Sequence, residues 1–260
     1  MIFNAKNKSN AGLLLCLFFT SIFSSYANAQ SSTPRYVAGV LRLADSHHYI
    51  QKNKAVVYWQ LSPYYLPQLT GSSCSLASTT MIVNAARSRI PLPANQPLAT
   101  QDELLHRVNN ANWITGVAQG GNGATLDELA KLIPQAMNAY GVNHCRVEVT
   151  HLSSTSKKQR LQLHQALLHM ERSGKTFMIA NFNQKFFTGA TSSGHFAPVG
   201  AYDPINKSVL IMDPDREFYE PYWVPESLFF KSMATLDKES GQSRGYLLIT
   251  VENPPHQRLN

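Results

Sequence analysis

An α+β fold, with a helical lobe followed by an antiparallel sheet lobe, is predicted by three observations. Helical apolar spacing and two capping boxes lie in the first half of the chain. After Gly174 the texture changes to short apolar runs of strand length, at residues 177–182, 195–202, 208–212 and 245–251. Asp203-Pro204-Ile205-Asn206 then supplies a turn between the second and third runs, which predicts an antiparallel hairpin.

Taken in order, residues 1–29 read as a secretory leader: Lys6 and Lys8 form a basic head, residues 11–23 are apolar, and Ala27-Asn28-Ala29 is an A-x-A cleavage site. Export to a secreted or periplasmic location, with a mature chain from about Gln30, is therefore expected. The apolar run is interrupted by Thr20 and Ser21 and falls short of the ~20 residues of a membrane span, so no stable membrane insertion is expected. Residues 30–260 are long enough for one large domain. Residues 31–67 read as irregular and aromatic. Leu76, Ala77, Met81, Ile82, Ala85 and Ala86 then predict a helix over 74–89, capped by Ser72 or Ser73. Thr100 with Glu103 and Thr125 with Glu128 announce two more helices, the second closing near Gly141, and a fourth runs over 157–172 to Gly174. Residues 119–123, rich in glycine, lack the strand and the Gly-Lys-Ser of a phosphate loop and read as a surface loop.

The net charge of +7 comes from 23 basic and 16 acidic residues, with two of the lysines in the leader. The basic residues form no nucleic-acid stripe; a small acidic substrate suits this balance better. Cys74 and Cys145 are the cysteines outside the leader, too few for a disulfide scaffold, although one bridge between them would silence either thiol. Adjacent His144 and Cys145 diverge on a strand, and His164 and His169 miss the four-residue spacing of a helical metal pair, so no resident metal is expected.

Three residues carry the chemistry. Cys74 heads a predicted helix, where the positive end of the backbone dipole favours a thiolate. His195 begins a strand after Gly194, and Asp213 ends the partner strand of the hairpin, so antiparallel pairing brings imidazole and carboxylate together. A thiol nucleophile, its base and the orienter of that base make up the machinery of acyl transfer through a thioester. Gln68, on the loop entering the Cys74 helix, is placed to donate to an oxyanion. Each residue taken alone also fits a structural role: a buried thiol, a satisfied core histidine, a solvated loop glutamine.

Gln68, Cys74-Ser75-Leu76-Ala77-Ser78, Ser193-Gly194-His195-Phe196-Ala197-Pro198-Val199-Gly200, Asp213, Arg216, Trp223-Val224-Pro225 and Asp237-Lys238-Glu239-Ser240-Gly241-Gln242-Ser243-Arg244-Gly245-Tyr246 together resemble the catalytic domain of phytochelatin synthases, over about residues 40–251. The resemblance implies a papain-like cysteine protease fold and a glutathione γ-glutamylcysteinyltransferase. Cys74 would attack the Cys-Gly amide, glycine would leave, and water or a second glutathione would resolve the thioester, with His195 moving the protons and Asp213 orienting it. It also implies that Gly194, Arg216, Asp237 and Arg244 bind substrate, the last two holding the zwitterionic γ-glutamyl end. Ser75 departs from the family's usual glycine and is expected to bear on the acyl pocket. Only a polar tail follows Val251, without the cysteine-rich extension of plant members, and short members of this kind favour hydrolysis, so hydrolysis is the expected outcome. Expected partners are glutathione and its complexes with Cd²⁺ or another thiophilic metal, as substrate. No bound cofactor is implied, and a homodimer stays open. The alternatives are a Cys-His-Asp peptidase and a non-catalytic thiol or metal-binding module.

Overall fold

The structure, a computed structural model, describes residues 34–153, 156–189 and 193–252. The expected leader and the polar tail lie outside the described residues. In chain order the elements are β1 (Leu41–Arg42), α1 (His48–Lys52), α2 (Val56–Leu61), α3 (Cys74–Arg87), α4 (Gln101–Val108), α5 (Ala111–Val117), α6 (Leu126–Ala139) and β2 (Cys145–His151). There follow α7 (Lys157–Ser173), β3 (Thr176–Asn183), β4 (Gly194–Asp203), β5 (Ser208–Ile211), β6 (Tyr222–Pro225), α8 (Glu226–Met233) and β7 (Gly245–Val251). The seven strands form one sheet in the order β1-β6-β5-β4-β3-β7-β2, with every neighbouring pair antiparallel.

The α+β class is as expected, but the sheet takes in β1 and β2 from before Gly174, so helices and strands are less segregated along the chain than predicted. Residues 31–67 were expected to be irregular, yet they hold β1, α1 and α2. These helices have five and six residues and no side-chain cap, which leaves neither a full period nor a capping residue to read. Several of the expected caps and stops form. Thr125 and Glu128 close a complete capping box on α6. At α4 only half the box forms: Thr100 accepts from the Glu103 N–H, while the Glu103 carboxylate turns to Arg107 at 2.8 Å. Gly174 ends α7 in the left-handed region at φ 58°.

The core centres on α3, buried along its whole length. Leu76, Met81, Ile82 and Val83 are at most 2% exposed, and burying such side chains stabilises the fold by about 2 kcal/mol each. The polar residues of α3 are satisfied internally. Thr79 and Thr80 donate to carbonyls one turn back, and Asn84 clamps Ala99 through its carbonyl and its N–H. Ser78 Oγ donates to the Phe196 carbonyl at 3.2 Å, fastening α3 to β4. α7 presents Leu163, Ala166, Leu167 and Met170, a helical stripe, and packs on β3 and β4, while α8 covers β3 and α6 covers β2.

The turn after β4 is built as expected, with Asp203 Oδ1 accepting from the N–H groups of Ile205 and Asn206. At the other end of the sheet β7 meets β2 very closely. A Cβ on Gly245 would sit 1.8 Å from the Thr150 carbonyl oxygen. Gly245→Ala therefore forces two paired backbones apart next to Arg244, and the expected loss is about 3 kcal/mol, the upper end of overpacking costs. Urea denaturation measures it; a loss under about 1 kcal/mol would mean that β2 and β7 separate easily.

Candidate active site

Cys74 is the first residue of α3, and His195 is the second residue of β4, the strand on which α3 packs. The Cys74 sulfur acts on the His195 ring and favours its charged form. The other side of the imidazole is fixed, since His195 Nε2 lies 2.7 Å from Asp213 Oδ1. That leaves Nδ1 as the ring nitrogen for the sulfur. Asp213 follows β5 by two residues, so the hairpin register does bring it back to the start of β4.

Asp213 is wholly buried, yet its carboxylate accepts from His195, from Tyr222 Oη at 2.7 Å and from the Asp215 N–H at 2.9 Å. Burial alone would push this carboxyl up; the charge of His195 and these hydrogen bonds outweigh it and hold the group below the usual carboxylate range. Burial would likewise push the His195 ring down, but the Asp213 carboxylate and the Cys74 sulfur outweigh it and hold the ring well above the usual imidazole range. A ring paired with a buried carboxylate, next to a cysteine at a helix N-terminus, is an arrangement in which an imidazole can move a proton to or from a sulfur.

Gln68 sits on the loop before α3. Its N–H donates to the Pro214 carbonyl at 2.8 Å, one residue past Asp213, and its Oε1 is buried without a partner among the described residues. Ser73 occupies the N-cap position of α3 but does not cap it. Its hydroxyl accepts from the N–H groups of Leu69 and Thr70 and so stiffens the Gln68 loop instead.

A cavity of about 350 Å³ opens at Cys74. One wall is Gly121, Asn122, Gly123 and Ala124, the glycine-rich segment read as a surface loop, held to the Cys74 loop by Ser72 Oγ donating to the Gly121 carbonyl. The facing wall includes Asp237, Glu239 and Arg244, and Asn122 Nδ2 donates to Glu239 Oε2 at 3.1 Å between the two. Arg244 and Asp237 pair at 3.3 Å with both side chains mostly buried. Arg244 also donates to Thr235 Oγ1 and to the Leu236 carbonyl, and its Nε is buried without a partner among the described residues. Burial lowers the guanidinium from its ordinary value, against the opposing pull of Asp237.

Gly194 lines the same cavity, and a Cβ there would meet Arg244 Nη2 at 2.9 Å, so the missing side chain admits the guanidinium. Arg216 is placed apart from the cavity lining: it is exposed and its guanidinium lies over the Tyr65 ring, 4.6 Å from the centroid. Ser75 is fully buried and accepts from Trp113 Nε1 at 3.1 Å, outside the lining residues, so its hydroxyl is directed away from the acyl position.

Asn181 and Asn183 of β3 also line the cavity, and Asn181 Oδ1 is buried without a partner among the described residues. The sequence carried a signal for them, since two asparagines spaced by two interrupt an apolar strand on one face. Tyr222 left no such signal, because only the β5–β6 pairing brings it to Asp213. Cys74 and Cys145 are unbridged, and burial pushes the Cys145 thiol up to about 11, leaving it unreactive at neutral pH.

Residues 39–246 match the family model for phytochelatin synthase. Among curated proteins, glutathione gamma-glutamylcysteinyltransferase 1 of Arabidopsis thaliana is 25% identical over 201 residues, which cover 77% of this chain and 38% of that protein. The enzyme of the same name in Triticum aestivum is 26% identical over 206 residues, 74% of this chain and 36% of that protein. Glutathione gamma-glutamylcysteinyltransferase of Schizosaccharomyces pombe is 46% identical over 67 residues, 26% of this chain and 16% of that protein. The matches thus span well under half the length of these relatives. With the family model covering most of its length, the chain belongs to the phytochelatin synthase family.

Proposed function

We propose that this protein is a papain-like thiol acyltransferase that cleaves the Cys-Gly bond of glutathione through a γ-glutamylcysteinyl thioester on Cys74. One observation carries the reading: a single cavity has the Cys74 thiol at one end and the buried Arg244–Asp237 pair in its wall. A peptidase of broad range needs the first and has no use for the second. A guanidinium and a carboxylate side by side complement an α-amino acid, whose carboxylate and ammonium are presented together.

In this reading Cys74 attacks the amide carbonyl while Gln68 and the Cys74 N–H receive the developing oxyanion. Removing one such donor commonly costs ~3 kcal/mol of transition-state stabilisation. The His195 imidazolium gives its proton to the leaving glycine amine, and the neutral ring then accepts one from the resolving nucleophile. Asp213 keeps Nε2 occupied so that Nδ1 faces the sulfur. We rank hydrolysis to γ-glutamylcysteine ahead of transfer to a second glutathione, because water needs no second binding surface. Free glutathione or its complex with a thiophilic metal would be the substrate. The reading of residues 1–29 as a leader adds export to this proposal; among the described residues no helix is long and apolar enough to cross a membrane.

Mass spectrometry of glutathione incubated with the protein, with and without Cd²⁺, is expected to show glycine with free γ-glutamylcysteine as the main product, and Cys74→Ser is expected to abolish both. Glycine release by that variant would remove the nucleophile, and longer oligomers as the main product would reverse the order of hydrolysis and transfer. Arg244→Ala is expected to raise KM for glutathione by about tenfold, the scale of one lost charge-assisted bond, and to leave a peptide without a γ-glutamyl group unaffected. Equal effects on both would favour the peptidase.

The pH dependence follows from the directions of the shifts. His195 is held well above the ordinary ~6.5 of imidazole, so the alkaline limb of kcat/KM is expected above that ordinary value. Asp213→Asn removes the carboxylate that supports the charged ring, so the alkaline limb should move to lower pH and the rate should drop by at least about a hundredfold. An unmoved limb would show that another group sets it.

A further inference from the structure

The segment that carries Asp237 and Arg244 is held from behind by residues that are not among those lining the cavity. His151, the last residue of β2, directs Nδ1 at the Ser243 carbonyl and Nε2 at Asp127 Oδ1, the latter at 3.1 Å. A carbonyl and a carboxylate both accept, so each ring nitrogen of His151 faces an acceptor. The other carboxylate oxygen of Asp127 accepts from Gln242 Nε2 at 2.8 Å. Gln242 and Ser243 are the two residues that precede Arg244, so one carboxylate and one imidazole grip the chain immediately before the cavity guanidinium.

Both anchors are rigid. Asp127 lies in the first turn of α6, which the Thr125–Glu128 capping box fixes and where the helix dipole favours a carboxylate. His151 is paired with Gly245 in the β2–β7 register, and its own carbonyl accepts from Gln159 Nε2 at 2.8 Å. Leu152 N–H donates to the Arg244 carbonyl at 2.9 Å. On the cavity side the segment is closed by Asp237 N–H to the Gln242 carbonyl at 2.7 Å, which couples the position of Asp237 to that of Gln242.

We propose that His151, acting with Asp127, is a positioning residue for substrate recognition: it fixes residues 237–244 so that Arg244 and Asp237 face the α-amino acid end of the substrate together. This rests on the reading above that the pair takes the γ-glutamyl end. Loosening the grip should weaken binding while leaving the thiol, its base and the orienter untouched, because those three are held by α3 and the β4–β5 hairpin.

The test uses the full chain with His151→Ala and Gln242→Ala, measuring glycine release from glutathione, the rate of Cys74 alkylation by iodoacetamide, and thermal melting. His151→Ala is expected to raise KM by about tenfold and Gln242→Ala by about threefold, the range of one lost charge-assisted or neutral bond. kcat should stay within about threefold and alkylation should be unchanged. Gln242 is exposed, so that variant carries the test if His151→Ala does not fold. Unchanged KM in folded variants, or kcat and alkylation falling together at constant KM, would overturn the inference and leave His151 a stabilising residue. Absence of glycine release from the unmodified protein would overturn the substrate reading and this inference with it, whereas release with unaltered KM in both variants overturns the inference alone.

Discussion

A carboxylate with no exposure to water is stable only if its oxygens are hydrogen-bonded and its charge is opposed, and Asp213 imposes that requirement on everything around it. The imidazole of His195 supplies the opposing charge, Tyr222 and the Asp215 N–H complete the bonding, and Tyr65 Oη donates to the Asp213 carbonyl at 2.6 Å. Through the Pro214 carbonyl the same segment takes the N–H of Gln68. Separated stretches of chain thus converge on this segment, His195 and Tyr222 at the carboxylate and Tyr65 and Gln68 at the backbone carbonyls beside it. A consequence for the chemistry is that the imidazole cannot turn: with Nε2 committed, the remaining nitrogen meets whatever α3 presents, and α3 presents its first residue.

The cavity obeys a different constraint, that of close backbone approach. Gly194 admits the guanidinium of Arg244 beside β4, and Gly245 lets β7 lie against the Thr150 carbonyl, so Arg244 emerges between two glycine positions where a Cβ would displace it or its strand. The glycine-rich loop opposite is also tight, since a Cβ on Gly121 would fall 2.2 Å from the Gly116 carbonyl oxygen. Amides and charges of both signs line the cavity, among them Asn122, Asn181, Asn183, Asp237, Glu239 and Arg244.

Ser75 illustrates how a polar side chain next to Cys74 can be taken up by the core. The residue after the helix-start cysteine points into the protein, where the Trp113 indole N–H needs an acceptor, and a hydroxyl provides one. The departure from the family's usual glycine is thereby accommodated in the core, on the side of α3 away from the cavity.

The sequence by itself determined the elements whose signals are local: the start of α3 at Cys74, the caps of α4 and α6, the stop at Gly174 and the hairpin turn that aligns His195 with Asp213. Its motif order also identified the thiol, the ring and the carboxylate, since a hairpin of known length relates two of them geometrically. Short α1 and α2, without caps, and β2, β6 and α8, whose pairing and packing partners lie far along the chain, left no such trace. Only the tertiary structure decided that Tyr222 meets Asp213, that Gly194 serves Arg244, that Arg216 lies over Tyr65 apart from the cavity lining, and that His151 and Asp127 grip the chain before Arg244. These are contacts between residues from nine to more than a hundred positions apart. Their partners are set by sheet order and helix packing, and no local periodicity or capping preference encodes either.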